Sequence, residues 1–199
     1  MSSVEKSAPA RRMQDSVIEP PLSSDAVVPR LPEGPHRVEI YDMDFKQDQF
    51  FEAVASRKIP RIRVAGIVIV DEAVLVQQPA DDPHSCYAFI GGEYEVADTF
   101  ETRLRAEFEE ETNANVVDAQ YLFCVENHFR HKDNLIQQVE HYYLVKLDRR
   151  DIQSKEAHLR QLWIPLPQFG QIDLRPTAVR NAVADGSYMT KRHIVQMPD

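Results

Sequence analysis

Hydrophobic and polar positions along the chain repeat with two different periods, which separates the predicted strands from the predicted helices. Helical spacing appears at 47–58, where Phe50, Phe51 and Val54 share a face, and again at 99–112 and 173–186. Gly186 is the predicted end of the last helix. Short β-branched or alternating runs predict strands at 37–45, 61–70, 73–78, 86–90, 116–129, 135–147 and 162–166.

The order of these elements predicts the fold class. The runs at 61–70 and 73–78 read as a hairpin of buried strands, and the polar segment 130–134 joins two longer strands. Strands on both sides of a central helix, followed by a helix near the end, indicate a mixed sheet covered on both faces. We therefore predict an α/β protein, an α/β/α sandwich with a mixed β-sheet.

Composition divides the chain into two parts. Residues 1–36 hold six of the 13 prolines and show no sustained periodicity, so we expect a disordered Pro/Ser-rich tail there. Residues 37–199 form the predicted single domain, and a hydrophobic content of 43% is enough for a core.

Charge and cysteine content narrow the possible partners and compartment. A net charge of -9 argues against a general nucleic-acid or membrane-surface binder, because those proteins meet phosphates with basic patches. Cys86 and Cys124 form no disulfide framework or metal spacing, and no apolar run approaches the roughly 20 residues of a membrane helix. We expect a soluble cytoplasmic protein that binds neither nucleic acid nor membrane.

The helix at 99–112 concentrates negative charge on one face. Glu107, Glu110, Glu111 and Arg103 fall within an arc of about 100°, beside the apolar stripe that should face the sheet. Clustered carboxylates repel one another and destabilise a helix unless a cation neutralises them. Oxygen ligands favour a hard ion, so Mg²⁺ fits best, with Mn²⁺ as a possible substitute. The plainer alternative is a solvated acidic surface.

A tandem glycine precedes this helix. Gly91 and Gly92 follow a predicted strand, where glycine permits backbone torsions and close approaches that other residues forbid. A strand, a Gly-Gly loop and a carboxylate-bearing helix together predict a site rather than an acidic surface.

Residues 92–114 resemble the Nudix box, G-x5-E-x7-R-E-U-x-E-E-x-G-U, in which U is a bulky apolar residue. Gly92 opens the match, Asp98 stands at the first Glu, and Glu107, Glu110 and Glu111 supply the remaining carboxylates. The resemblance to the Nudix hydrolases implies a Nudix-like fold. It also implies metal ligation by Glu107, Glu110 and Glu111, with Gly91, Gly92, Asp98 and Arg103 contributing to the substrate loop and its support.

Several positions depart from the family pattern. Ala106 replaces the box arginine, which in the family is understood to orient the neighbouring glutamates, and we hypothesise that Arg103 substitutes for it. Many relatives carry a His-Glu pair where this chain has Gln137 and Gln138. Glu140, on the same strand face as Gln138, is the nearest carboxylate that would compensate. Further departures are Ile90, Asn113 and Ala114.

The resemblance implies hydrolysis of a nucleoside diphosphate linked to another moiety, such as a nucleotide sugar, a dinucleotide or a nucleoside triphosphate. Glu107, Glu110 or Glu140 would act in catalysis, and the sequence leaves the proton acceptor open. A homodimer is a further possibility that the family suggests. Two alternatives stay open: an impaired Nudix domain that binds nucleotides or regulates without hydrolysis, and an assembly protein whose acidic helix is only surface.

Substrate contacts are weakly constrained by the sequence. Tyr87, Phe89 and Phe129 are candidates for stacking a base, although aromatic residues in strands are more often core. Candidates for phosphate contacts are Arg61, Arg63, Arg130 and Lys132, for which surface solvation is the default reading.

Overall fold

The structure is a computed structural model that describes residues 47–198. The predicted tail and the predicted strand at 37–45 lie outside the described residues. The described elements are α1 (Gln47–Ser56), β1 (Arg61–Ile67), β2 (Ile69–Val70), β3 (Ala73–Pro79), β4 (Ile90–Glu93), α2 (Phe100–Glu111), β5 (Val116–His131), β6 (Asn134–Leu147), β7 (Leu159–Pro165), α3 (Leu166–Phe169), α4 (Thr177–Ala184), a 3₁₀ turn (Ser187–Met189) and β8 (His193–Gln196).

Two sheets form the framework. The larger has the order β4-β1-β6-β5-β8 and is mixed, because β1 runs parallel to β6 and β8 runs parallel to β5 while the other pairs are antiparallel. The smaller sheet is antiparallel, in the order β2-β3-β7. The predicted mixed sheet is confirmed.

The predicted hairpin at 61–78 is correct only in its second half. Ile69 pairs with Val74, but β1 lies in the larger sheet, so the chain changes sheets at Val68. The run is apolar on both sides of this change, and apolar periodicity carries no information about which strand each segment pairs with.

The larger sheet is covered on both faces, which confirms the predicted sandwich. Val64, Leu104 and Phe108 belong to a core between the sheet and α2. Ala65, the neighbour of Val64 in β1, points to the opposite core, which contains Phe169 of α3 and residues of α4. Alternate residues of β1 therefore serve opposite layers, as the two-residue period of a strand requires.

Local chemistry fixes where α2 begins and how closely it packs. Thr99 caps the helix by accepting a hydrogen bond from the Thr102 backbone N–H, and the Thr102 hydroxyl accepts one from the Thr99 N–H. Phe108 lies directly over Gly66, where a Cβ atom would stand 2.6 Å from the Phe108 ring. The helix therefore sits close to β1 and carries its carboxylates to the edge of the sheet.

Candidate active site

Arg103 joins the carboxylates on one face of α2. Its Nε donates to Glu107 Oε1 at 2.7 Å, and its Nη2 donates both to that oxygen and, at 3.2 Å, to Glu110 Oε2. Its Nη1 lies 3.4 Å from Glu95 Oε1 in the loop before the helix. A single guanidinium thus fixes the orientation of two glutamates, from the position one turn before Ala106.

Glu107 lies against the tandem glycine. Its side chain is buried, and a Cβ atom at Gly92 would stand 1.8 Å from Glu107 Oε1, so only glycine leaves room for this carboxylate. Burial raises the pKa of Glu107, and the bond from Arg103 offsets part of that rise. The glycine and the glutamate therefore form one structural unit.

Glu111 is the least satisfied of the three carboxylates. Its Oε2 atom is buried and has no hydrogen-bond partner among residues 47–198. Burial, and then the nearby charge of Glu107, raises the pKa of Glu111 to about 8, although Gln77 and Arg63 act in the opposite direction. A buried carboxylate in this state is suited to a cation that replaces its missing partner.

The donor set of α2 suits a hard divalent ion. All three carboxylates offer oxygen atoms, and Glu111 has one that lacks a hydrogen-bond partner in the part of the chain that the structure describes. In the arrangement described for residues 47–198, no three His, Cys, Asp or Glu side chains converge closely enough to hold a metal, and Arg103 contacts two of the carboxylates. Metal binding would therefore require the Arg103 contacts to adjust.

Gly91 and Asp98 have different surroundings. Gly91 has a φ of 155°, and a Cβ atom there would stand 2.1 Å from the Val64 carbonyl oxygen, so β4 approaches β1 too closely for any other residue. Its carbonyl accepts a hydrogen bond of 3.0 Å from Arg63 Nη2. Asp98 Oδ1 accepts a hydrogen bond of 3.3 Å from the Thr102 hydroxyl, beside the N-cap of α2.

Glu140 of β6 is only 1% exposed and is held by four side chains. Asn127 Nδ2 donates to its Oε1 at 2.9 Å, and the Tyr142 hydroxyl donates to its Oε2 at 2.9 Å. Arg63 Nη1 lies 3.5 Å from Oε2, and Gln138 donates to Oε1 at 3.2 Å when its amide takes the orientation that its neighbours favour. The carboxylate is thus fully coordinated by protein donors.

A cavity of about 640 Å³ lies on the sheet face that Glu140 shares. Arg61, Tyr87 and Phe129 line it, as does Arg63, which also contacts the tandem glycine. Phe89 is instead buried in the core against Tyr142 and Phe169, so only two of the three candidate aromatic residues reach the cavity. Sequence reasoning missed Asn127 and Gln196 and named Gln138 only through the family pattern, because amide side chains give no local signal.

The sequence profile of the NUDIX domain matches residues 60–185. The chain belongs to the Nudix family. Nudix proteins generally hydrolyse nucleoside diphosphate derivatives and use divalent metals. No curated protein sequence matches this Nudix chain significantly.

Solved structures agree with this fold. A MutT NUDIX hydrolase from Burkholderia pseudomallei is 21% identical, with a TM-score of 0.52 over 61% of this chain and 95% of that one. A MutT protein from Bacillus halodurans is 14% identical, with a TM-score of 0.53 over 70% and 92%. The NUDIX domain of Shewanella oneidensis NrtR, solved with ADP ribose, is 16% identical, with a TM-score of 0.52 over 71% and 97%.

The departure from the Nudix box at Ala106 has a structural counterpart in Arg103. Ala106 leaves the box without its arginine, while Arg103 contacts both Glu107 and Glu110 from the preceding turn.

No helix among residues 47–198 is both long and apolar enough to cross a membrane.

Proposed function

We propose that this Nudix protein is a pyrophosphohydrolase that uses Mg²⁺, or alternatively Mn²⁺, to cleave a phosphoanhydride bond in a nucleoside diphosphate linked to another moiety. The observation that carries the proposal is the α2 carboxylate cluster, in which Glu111 keeps a buried oxygen that has no hydrogen-bond partner among the described residues. Glu107, Glu110 and Glu111 would hold the ion, which when bound neutralises the diphosphate and lowers the pKa of the attacking water.

The chain's own residues then have separate tasks. A water oxygen bonds to one phosphorus as the bridging P–O bond breaks, which gives two phosphate products. Glu110, whose side chain is half exposed, accepts the proton of the water, and Arg103 keeps Glu110 and Glu107 in register. Catalysis of this type depends on position and electrostatics more than on covalent chemistry.

Glu140 was the other candidate for the proton acceptor, and that role stays a prediction. Both of its oxygens already accept from protein donors, which favours a role in positioning Arg63 and Asn127. Glu140 lies in the wall of the 640 Å³ cavity, whose volume is typical of sites for small ligands. From there it would hold Arg63 and Asn127 in place around a ligand.

The rest of the substrate would occupy this cavity. The NrtR domain binds ADP ribose, and we propose that the present chain takes a nucleotide derivative of the same general kind. We place the reaction in the cytoplasm, as the two isolated cysteines predict, and Cys86 and Cys124 are free thiols in the structure. A homodimer stays a prediction.

The decisive experiment is turnover of a panel of nucleotide sugars, dinucleotides and nucleoside triphosphates, first with Mg²⁺ and then with Mn²⁺. The Glu110→Gln, Glu111→Gln double variant should lose more than about 100-fold in turnover. An Asp118→Asn variant, altered in β5 away from α2, is the matched control and should keep full activity.

A second function is favoured by one contact. Because Arg103 occupies both Glu107 and Glu110, and because Ala106 departs from the box, the domain would serve as a nucleotide-binding or regulatory module if these contacts never open. Tight binding of panel members with no turnover by either protein would support this function over hydrolysis.

A further inference from the structure

Two elements outside the region matched by the NUDIX profile complete the cavity. The match begins at residue 60 and ends at residue 185, whereas α1 ends at Ser56 and β8 begins at His193. Phe50 and Phe51 of α1 and Gln196 of β8 nevertheless line the same cavity. The walls of this cavity are thus built partly from segments that the family pattern does not include.

The α1 segment contributes an aromatic wall. The Phe51 ring lies 5.4 Å from the Phe129 ring at 82° and 4.8 Å from the His131 ring. The Arg61 guanidinium lies 4.6 Å from the centre of the Phe50 ring, within cation–π distance. Val54, one turn along the helix, is 4% exposed and anchors α1 to the domain. The rings are therefore held in place by contacts on several sides.

The β8 segment contacts the floor of the cavity, which Asn127, Gln138 and Glu140 form. Gln196 Nε2 donates to Asn127 Oδ1 at 3.3 Å, and Gln196 Oε1 accepts a hydrogen bond of 2.8 Å from the Ala178 backbone N–H. Asn127 in turn donates to Glu140. The amides and the carboxylate of the floor therefore satisfy one another, and the aromatic rings offer apolar surface to a ligand.

This combination indicates the class of ligand. Aromatic side chains that are only partly buried offer ring faces for stacking, and every nucleobase has a π-face that stacks with little dependence on its identity. Arg63 lies between the cavity and Gly91, so a ligand reaching past it would approach Gly92 and Glu107. The cavity thus suits a planar base, with its phosphates directed toward α2.

On the basis of the proposed function, we propose that α1 is a specificity element, in which the Phe51 ring, in edge-to-face contact with Phe129, stacks the base of a nucleoside diphosphate derivative. The element selects ligands that carry a planar base over diphosphates that carry none. A site that selects by stacking should bind different bases with similar affinity. The polar side chains of the floor already hydrogen-bond to one another, so they are not needed to read the edge of a base.

The test uses two probes that differ only in the nucleoside: α,β-methylene-ADP, whose bridging bond resists hydrolysis, and methylenediphosphonate. Binding to the full chain is measured by titration calorimetry with Mg²⁺. Phe51→Ala should weaken α,β-methylene-ADP about tenfold and leave methylenediphosphonate unchanged, whereas Phe51→Tyr should restore binding. Leu135→Ala, which truncates an exposed apolar side chain outside the cavity, is the control and should match the unmodified protein.

Three results would overturn the proposal: equal affinity of Phe51→Ala and the unmodified protein for α,β-methylene-ADP, equal affinity of the unmodified protein for the two probes, or no binding of α,β-methylene-ADP up to about 1 mM. Because the readout is binding, it separates this proposal from hydrolysis. Phe51-dependent binding without turnover on the panel would remove the hydrolase and keep the stacking site. Turnover on the panel with binding that does not depend on Phe51 would keep the hydrolase and remove the stacking site.

Discussion

Two carboxylates in this protein have opposite surroundings: Glu111 of α2, whose Oε2 atom is buried, and the fully buried Glu140 of β6. Asn127, Tyr142 and Arg63 surround Glu140, whereas one oxygen of Glu111 has no partner among the described residues. A carboxylate whose bonds are complete stabilises and positions its neighbours, and one that lacks a partner is available for a ligand. The difference favours a structural role for Glu140 and supports the catalytic role proposed for α2.

The largest effect should come from removing the carboxylate of Glu140, both of whose oxygens accept hydrogen bonds. Glu140→Ala leaves the partly buried Arg63 without its counter-ion and removes the acceptor of three further donors, Asn127, Tyr142 and Gln138. We expect a loss of about 3–5 kcal/mol in the free energy of unfolding, measured by urea titration. The control is Glu52→Ala, whose exposed pair with Lys132 should contribute little. Equal stability of the two variants would contradict the scaffold role.

Gly92→Ala tests the contact between the tandem glycine and α2. Its Cβ would overlap Glu107 Oε1, so the carboxylate must move, and we expect turnover to fall about 100-fold with little change in folding. Gly186→Ala is the comparison, because Gly186 has a φ of 76° but open space around its Cα. That variant should lose roughly 1 kcal/mol of stability and keep its turnover. Normal turnover in Gly92→Ala would show that the Glu107 position is unimportant.

Arg103→Ala sharpens the role of the only cation that contacts both Glu107 and Glu110 in the described part of α2. If it replaces the missing box arginine, turnover or metal affinity should fall 10- to 100-fold, as for other residues that orient metal ligands. Arg105→Ala, on the same helix but paired with Glu101, should leave both unchanged. An active Arg103→Ala variant with normal metal affinity would contradict the hypothesis that Arg103 replaces the missing box arginine.

A further test concerns pH. The pKa of Glu111 is raised from 4.5 to about 8, so between those values the folded protein holds a proton that the unfolded chain has lost. The stability of the metal-free protein should therefore fall as pH rises from 5 to 8, because deprotonation is easier in the unfolded chain. In EDTA, the midpoint temperature of Glu111→Gln should decline less over this range. Parallel curves for the two proteins would rule out this assignment.

Local periodicity located most elements correctly. The helices at 47–58 and 99–112 appear as α1 and α2, and the turn predicted at 130–134 joins β5 to β6. The strand predicted at 86–90 is instead β4, shifted to Ile90–Glu93, because pairing with β1 continues through both glycines. Neither α3 nor β8 was predicted, since each has only four residues and too few positions to display a period.

The sequence by itself determined the carboxylate face of α2, because residues four apart on a helix meet wherever that helix lies in the fold. It also determined the Nudix resemblance, because the box is a contiguous segment. Only the tertiary structure decided that Glu107 touches Gly92, that Glu140 is fully bonded, and that α1 and β8 enclose the cavity. Those contacts join residues far apart in the chain, and their formation depends on strand order and packing that no local pattern encodes.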